Sequence, residues 1–237
     1  MDKATSPFLS TPRIRLRQFE PGDANLLCML NGDDGVMEYI DDSPPTRKMV
    51  EEEVQRIIQA YNTSSRFGRW IAETVTTDGM EFIGWFCLDV PERAEHPCDG
   101  NEMAEGSDGG ITAKASSHQE GVRLMLGYRL RRNFWGEGLA TEGSRALINH
   151  AFGFPDVTLI EAETMFVNSR SRRVMEKCGM RYVKTFYVEF DDPLPGTELG
   201  EVLYAISRKD WMDSAGGEKT TTTPADKLAN VEGLDSG

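Results

Sequence analysis

Short runs of period two alternate along the chain with longer stretches of period 3.6, the pattern of strands interleaved with amphipathic helices. Over residues 11–19, Ile14 and Leu16 alternate with Arg13, Arg15 and Arg17, which predicts a half-buried first strand. Pro21 and Asp23 then open a helix with apolar positions at Leu26, Leu27 and Leu30, ending before Gly32. Residues 36–45, with Tyr39, Asp41, Asp42 and paired prolines, read as a turn between helices. Over 46–62, Val50, Val54, Ile57, Ile58 and Tyr61 form an apolar stripe, with Thr46 as N-cap. Residues 69–76 and 81–90 are rich in β-formers and flank Thr77, Asp78 and Gly79, a hairpin signal. Trp70, Ile71, Phe82, Ile83, Trp85 and Phe86 should supply most of the sheet's apolar core, while Glu73 and Glu81 should be solvated.

Periodicity is lost over 91–121, where glycine, serine, proline and acidic residues predict a long irregular insertion loop. It resumes in two strand–loop–helix units, 124–152 and 159–180, followed by two closing strands at 181–190 and 201–207 around a proline- and glycine-containing turn. Beyond Trp211 the chain is poor in apolar residues and repeats threonine. The expected organisation is a flexible stretch at 1–10, one domain over 11–212 and a disordered tail at 213–237.

The 237 residues, 39% of them hydrophobic, suffice for one large core. With no apolar run of membrane length and no signal-peptide core, a cytoplasmic protein that does not engage membranes is expected. A formal charge of −13 argues against general nucleic-acid binding, which needs clustered lysine and arginine. Cys28, Cys87, Cys98 and Cys178 lack metal-like spacing and read as free thiols; His96 and His118 are too far apart in an irregular segment to suggest a metal pair, so no metal site is assigned.

The candidate chemistry lies in the first strand–loop–helix unit. An apolar run ending near Leu130 leads through Arg131, Arg132, Gly136 and Gly138 into helical periodicity from Leu139. Glycines there let the backbone approach a ligand, and the helix start favours an anion. Neither a Gly-x-Gly-x-x-Gly nor a Gly-Lys-Ser/Thr sequence is present. Asn133-x-x-Gly136-x-Gly138-x-Ala140 resembles the Gln/Arg-x-x-Gly-x-Gly/Ala pyrophosphate motif of the GNAT acetyltransferase superfamily. Downstream, a strand reaching Asn168-x-x-Ser171 and a helix ending at Lys177-Cys178-Gly179-Met180 resemble the second half of that site. With Tyr204, Arg208 and Trp211, the match resembles the branch containing ribosomal-protein N-terminal acetyltransferases.

This resemblance implies an α/β (α+β) fold, a mixed, mostly antiparallel sheet flanked by helices, with two central strands splayed apart. It implies acetyl-CoA as acyl donor, no metal, and a primary amine as acceptor, either a protein N-terminus or a small molecule, attacked directly in a ternary complex. The cofactor positions it implies are Tyr128, Leu130, Arg131, Asn133, Phe134, Trp135, Gly136, Glu137, Gly138, Leu139, Ala140 and Asn168. Ser171 matches a serine that protonates the leaving thiolate, with Asn168 beside it, and Tyr39 and Asp41 fall where the family forms one wall of the acceptor pocket. Met125 stands where relatives often carry a glutamate base, so the base would be another carboxylate such as Glu73 or Glu163, a water chain, or absent. Met125 and Asn133 also keep open a domain that binds CoA or a protein partner without turnover. A monomer or a homodimer is expected.

Overall fold

The computed structural model describes residues 7–63, 66–77, 79–91 and 121–214. The expected insertion loop, all but its ends, most of the 1–10 segment and nearly all of the 213–237 tail lie outside the described residues, as do Cys98, His96 and His118.

In chain order the elements are β1 (Leu9–Ser10), β2 (Ile14–Arg17), α1 (Ala24–Asn31), α2 (Asp34–Met37), α3 (Arg47–Ala60), β3 (Gly68–Thr76) and β4 (Gly79–Asp89). After residue 121 come β5 (Val122–Leu130), α4 (Leu139–Phe152), β6 (Val157–Met165), α5 (Ser169–Lys177), β7 (Arg181–Phe186), β8 (Glu201–Ser207) and α6 (Arg208–Asp213). The strands form one sheet in the order β1-β2-β3-β4-β5-β6-β8-β7. Every neighbouring pair is antiparallel except β5 with β6, so the fold is the mixed, mostly antiparallel sheet expected.

The alternation of side chains sorts the core onto two faces. Leu124, Leu126 and Leu130 of β5, with Trp70, Phe86 and Leu88, pack beneath α4 against Leu147, Ile148 and Phe152. On the other face Ile71, Trp85 and Cys87 pack with Leu27 and Leu30 of α1 and Val50 and Val54 of α3. Both faces of β4 are covered, which explains its unbroken buried run from Phe82 to Leu88 where alternation would otherwise appear. Gly143 is needed because α4 crosses closely here: a Cβ at this position would come within 2.4 Å of the Phe86 ring.

Three expectations are corrected. The first strand is shorter than 11–19 because the Thr11 hydroxyl accepts from Ile14 N (2.9 Å) and folds the chain into a turn before β2. The 36–45 segment begins inside helix α2, which Asp33 caps by accepting from Gly35 N at 3.0 Å. Glu73 is not solvated: with Asp23 it holds the Arg17 guanidinium, at 2.7 Å each, and all three side chains are largely buried. Glu81 is part-exposed and pairs with Arg131 at 3.0 Å. Cys28, Cys87 and Cys178 are free thiols, the last two buried.

Candidate active site

β5 and β6 run side by side only from Val122 to Met125, where Met125 lies opposite Glu161. Past that vertex β5 remains paired with β4 as far as Leu130, while β6 pairs with β8 from Leu159 to Met165. The two parallel strands therefore open into a V, and the backbone of 126–130 facing β6 lacks a strand partner. This is the splay that the family resemblance implied.

The loop at the open end of the V leads into a helix start without a side-chain cap. Gly136 and Gly138 both have φ of 81°, a left-handed conformation that side chains rarely tolerate. Gly138 is the N-cap of α4 and offers no side chain to its first turn, leaving those N–H groups free for a ligand. A Cβ added at Gly136 would meet nothing within 4 Å. Leu139 is buried and anchors the helix, Ala140 is half-buried, and Asn133, Gly136, Glu137 and Gly138 are exposed.

The arginines flanking this loop have other duties. Arg131 reaches Glu81 and the Phe82 carbonyl (2.9 Å), and Arg132 pairs with Asp33 at the start of α2, holding Asp33 below the usual carboxylate range. Trp135 donates its indole N–H to the Leu130 carbonyl at 2.7 Å, and with Phe134 it packs on the core. Arg170 of α5 lies over the Trp135 ring at 5.1 Å. Sequence reasoning missed the tie from the N-terminal segment: Thr11 and Arg13 both bond Glu142 in the first turn of α4 (2.6 Å each), and Arg13 also donates to the Glu137 carbonyl at 2.9 Å. These partners are more than a hundred residues apart, so no local pattern announces them.

Across the V, Tyr128 reaches α5 and meets Ser171 twice, its hydroxyl lying 3.0 Å from Oγ and 3.1 Å from the carbonyl. Burial, partly offset by the bond to Ser171, pushes the Tyr128 phenol well above its ordinary value. Asn168 is the N-cap of α5. Its Oδ1 accepts from Ser171 N and its Nδ2 donates to Thr164 Oγ1, both at 3.1 Å. Asn168 therefore sets the position of Ser171 as the end of β6 turns into α5. The helix closes at Gly179 (φ 84°), where Met180 N bonds Met175 O at 3.1 Å. Burial pushes the Cys178 thiol up to about 11, which keeps it protonated and a poor nucleophile at neutral pH.

On the opposite face a cavity of about 250 Å³ opens between the α1–α2 region and the loop before β8, lined by Asn31, Asp34, Met37, Glu38, Asp41 and Asp42 with Pro44 and Leu194. Of the two expected acceptor-wall residues, Asp41 lines this cavity. Tyr39 is not part of the lining, and its phenol is raised mainly by its hydrogen bond to Glu38. Glu73, ion-paired on β3, is remote from the V; Glu163 is exposed on β6 and, after burial, is the second cause that raises Glu201. Among the described residues no group of three or more His, Cys, Asp or Glu could hold a metal, and no helix is long and apolar enough to cross a membrane.

Comparison with known proteins agrees with this geometry. Residues 13–181 match the acetyltransferase (GNAT) domain family. The chain is 31% identical over 207 residues to the FsC-acetyl coenzyme A-N(2)-transacetylase of Aspergillus fumigatus, covering 87% of this chain and 78% of that protein. In fold it is similar to RimL, a ribosomal L7/L12 alpha-N-protein acetyltransferase solved with coenzyme A (TM-score 0.58, 14% identity, 85% of this chain and 97% of that one). It is similarly close to the aminoglycoside acetyltransferase AAC(6')-Ib solved with coenzyme A (TM-score 0.56, 22% identity, 85% and 98%). The split sheet, its glycine loop and the matched 13–181 span place the chain in the GNAT family, as an N-acetyltransferase.

Proposed function

We propose that the protein transfers an acetyl group from acetyl-CoA to a primary amine of a small molecule, with an α-type N(2) amine as the first acceptor class to test. The observation that carries this reading is the uncapped start of α4, opened by two left-handed glycines at the mouth of the V. The small-molecule preference is supported by the relative at 31% identity, whose name specifies an N(2)-transacetylase.

Acetyl-CoA supplies an acetyl thioester. The chain supplies the surroundings. Backbone N–H groups of 136–140 meet the pyrophosphate; the side chains of Arg131 and Arg132, engaged with Glu81 and Asp33, hold the loop's shape instead of the phosphate. Unpaired backbone of 126–130 hydrogen-bonds the cofactor arm and polarises the acetyl carbonyl. Ser171 donates a proton to the departing sulfur, positioned by the Asn168 cap and by the Tyr128 hydroxyl. Asp41 and its acidic neighbours favour a cationic amine at the acceptor opening.

The test is calorimetric titration of acetyl-CoA, followed by CoA release with a panel of amino-acid amides, aminoglycosides and peptide N-termini. Binding with release stimulated by the amino-acid amides is expected. Binding without amine-stimulated release from any panel member would overturn the catalytic assignment, and no binding would overturn the cofactor assignment as well.

A further inference from the structure

The reaction needs a group to take the amine's proton, and Met125 cannot. The strand register shows what stands beside it. Met125 lies opposite Asp89 on β4 and opposite Glu161 on β6, so one row across three strands carries a carboxylate on either side of the methionine. Directly opposed residues share a face of a sheet. Here that face is the one bearing Trp85 and Cys87, opposite α4.

The row also marks the vertex of the V. From Met125 to Arg131 is roughly 20 Å at about 3.3 Å per residue, a span an extended phosphopantetheine arm covers. An arm held at the glycine loop and lying along β5 would bring its reacting end past Tyr128 toward this row. The carboxylates near it differ in availability. Glu161 is 5% exposed and both of its oxygens accept from Arg123, at 3.0 Å. Asp89 is half-buried and is in no ion pair among the described residues; it adds to the burial that raises the Cys87 thiol. Glu163, two residues past the vertex on the other arm, is exposed and shares its surroundings with Glu201. Among the described residues, the neighbouring strands carry Arg69 of β3, opposite Cys87 and paired with Glu53 of α3 at 2.6 Å, and the Arg123–Glu161 pair of β5 and β6. Arg129, further along β5, is turned away to Asn31 at 2.6 Å.

We infer that Asp89 is the general base of the transfer, replacing from the neighbouring strand the carboxylate that position 125 lacks. The inference rests on the acetyltransfer reading above. The amine nitrogen forms a bond to the acetyl carbon as its proton passes to the Asp89 carboxylate. The carbon–sulfur bond breaks with its electron pair on sulfur, which takes a proton from Ser171, refilled from water. The products are the acetamide and CoA thiol, and Asp89 returns its proton to solvent.

The experiment compares wild type with Asp89→Asn, Asp89→Glu and Glu163→Gln, using acetyl-CoA and whichever panel amine releases CoA fastest. Two readouts are taken: kcat/KM against pH and acetyl-CoA affinity by calorimetry. Asp89→Asn should lower kcat/KM by about 10²–10⁴ with acetyl-CoA affinity unchanged. Asp89→Glu should recover part of the loss, and Glu163→Gln should change little. Asp89→Asn activity near wild type, loss of acetyl-CoA affinity in step with activity, or the loss appearing in Glu163→Gln instead would each overturn the assignment while leaving acetyltransfer intact. If no amine is acetylated, both readings fall.

Discussion

Replacing Gly138 by valine tests the loop most directly, because the structure separates its structural cost from its functional one. At φ 81° an L-residue is strained, yet the nearest atom to an added Cβ is Arg13 Nη2 at 3.7 Å, an ordinary contact. The cost is therefore backbone strain of about 1–2 kcal/mol, somewhat more for a β-branched side chain, against a typical domain stability of about 5–15 kcal/mol. The protein should stay folded, with the loop relaxing toward negative φ and turning its N–H away from the phosphate. One hydrogen bond to a charged acceptor is worth about 1.5–3 kcal/mol, so acetyl-CoA should bind about 10- to 150-fold more weakly. Calorimetry gives the Kd and thermal unfolding checks the fold in the same preparation, with Gly138→Ala as the milder partner. Affinity within roughly threefold of wild type in both variants would refute backbone phosphate binding. Lost affinity with a collapsed Tm would show that the glycine serves the fold instead.

Ser171→Ala should lower kcat by about 10²-fold or more with little change in acetyl-CoA affinity, and equal activity would remove Ser171 from the proton path. Arg17→Ala leaves Asp23 and Glu73 facing each other without their cation, and should destabilise the fold by about 3–5 kcal/mol in denaturant titration while acetyl-CoA affinity changes little in the folded protein. Glu142 is raised by burial, but its bonds from Thr11 and Arg13 outweigh this and hold it below the ordinary value. Its stabilisation is therefore complete above the unfolded value of about 4.3 and lost as pH falls through the lower folded value. The stability gap between wild type and Thr11→Val should be widest above that window and narrow as pH falls through it, leaving the part due to the Ile14 N–H bond.

The sequence exposed the parts of this fold that depend on neighbours in the chain. The step from Leu130 through Gly136 and Gly138 into α4, and the Asn168 cap with its Gly179 stop, are local patterns and lie where they were expected. What stayed hidden depends on pairing between distant residues. Whether Arg131 and Arg132 were free for phosphate rested on Glu81 and Asp33, respectively about 50 and 100 residues away in the chain, and both arginines proved to be engaged. Solvation of Glu73 was misjudged for the same reason, since Arg17 reaches it only once β2 lies beside β3. Asp89 went unremarked because alternation places it on a strand but says nothing of its partner; only the register sets it beside Met125.

The pairing of Tyr128 with Ser171 constrains how the leaving sulfur acquires its proton. A tyrosine within reach of a thioester could be taken for the acid itself, but burial holds this phenol well above its ordinary value of about 10. On the proposed mechanism Tyr128 acts as a positioning residue, since its hydroxyl meets Ser171 Oγ at 3.0 Å and the Ser171 carbonyl at 3.1 Å. In that mechanism its hydroxyl holds Ser171 Oγ, and the part-exposed serine would pass a proton from water to the sulfur. Because a raised pKa keeps the phenol neutral to higher pH, kcat should show no basic limb due to Tyr128 below about pH 10. Tyr128→Phe should lower kcat by about tenfold at most, the worth of one neutral hydrogen bond, without altering the shape of the profile. A basic limb near neutral pH that disappears in Tyr128→Phe would show that the phenol gives up its proton after all, and that Ser171 merely relays it.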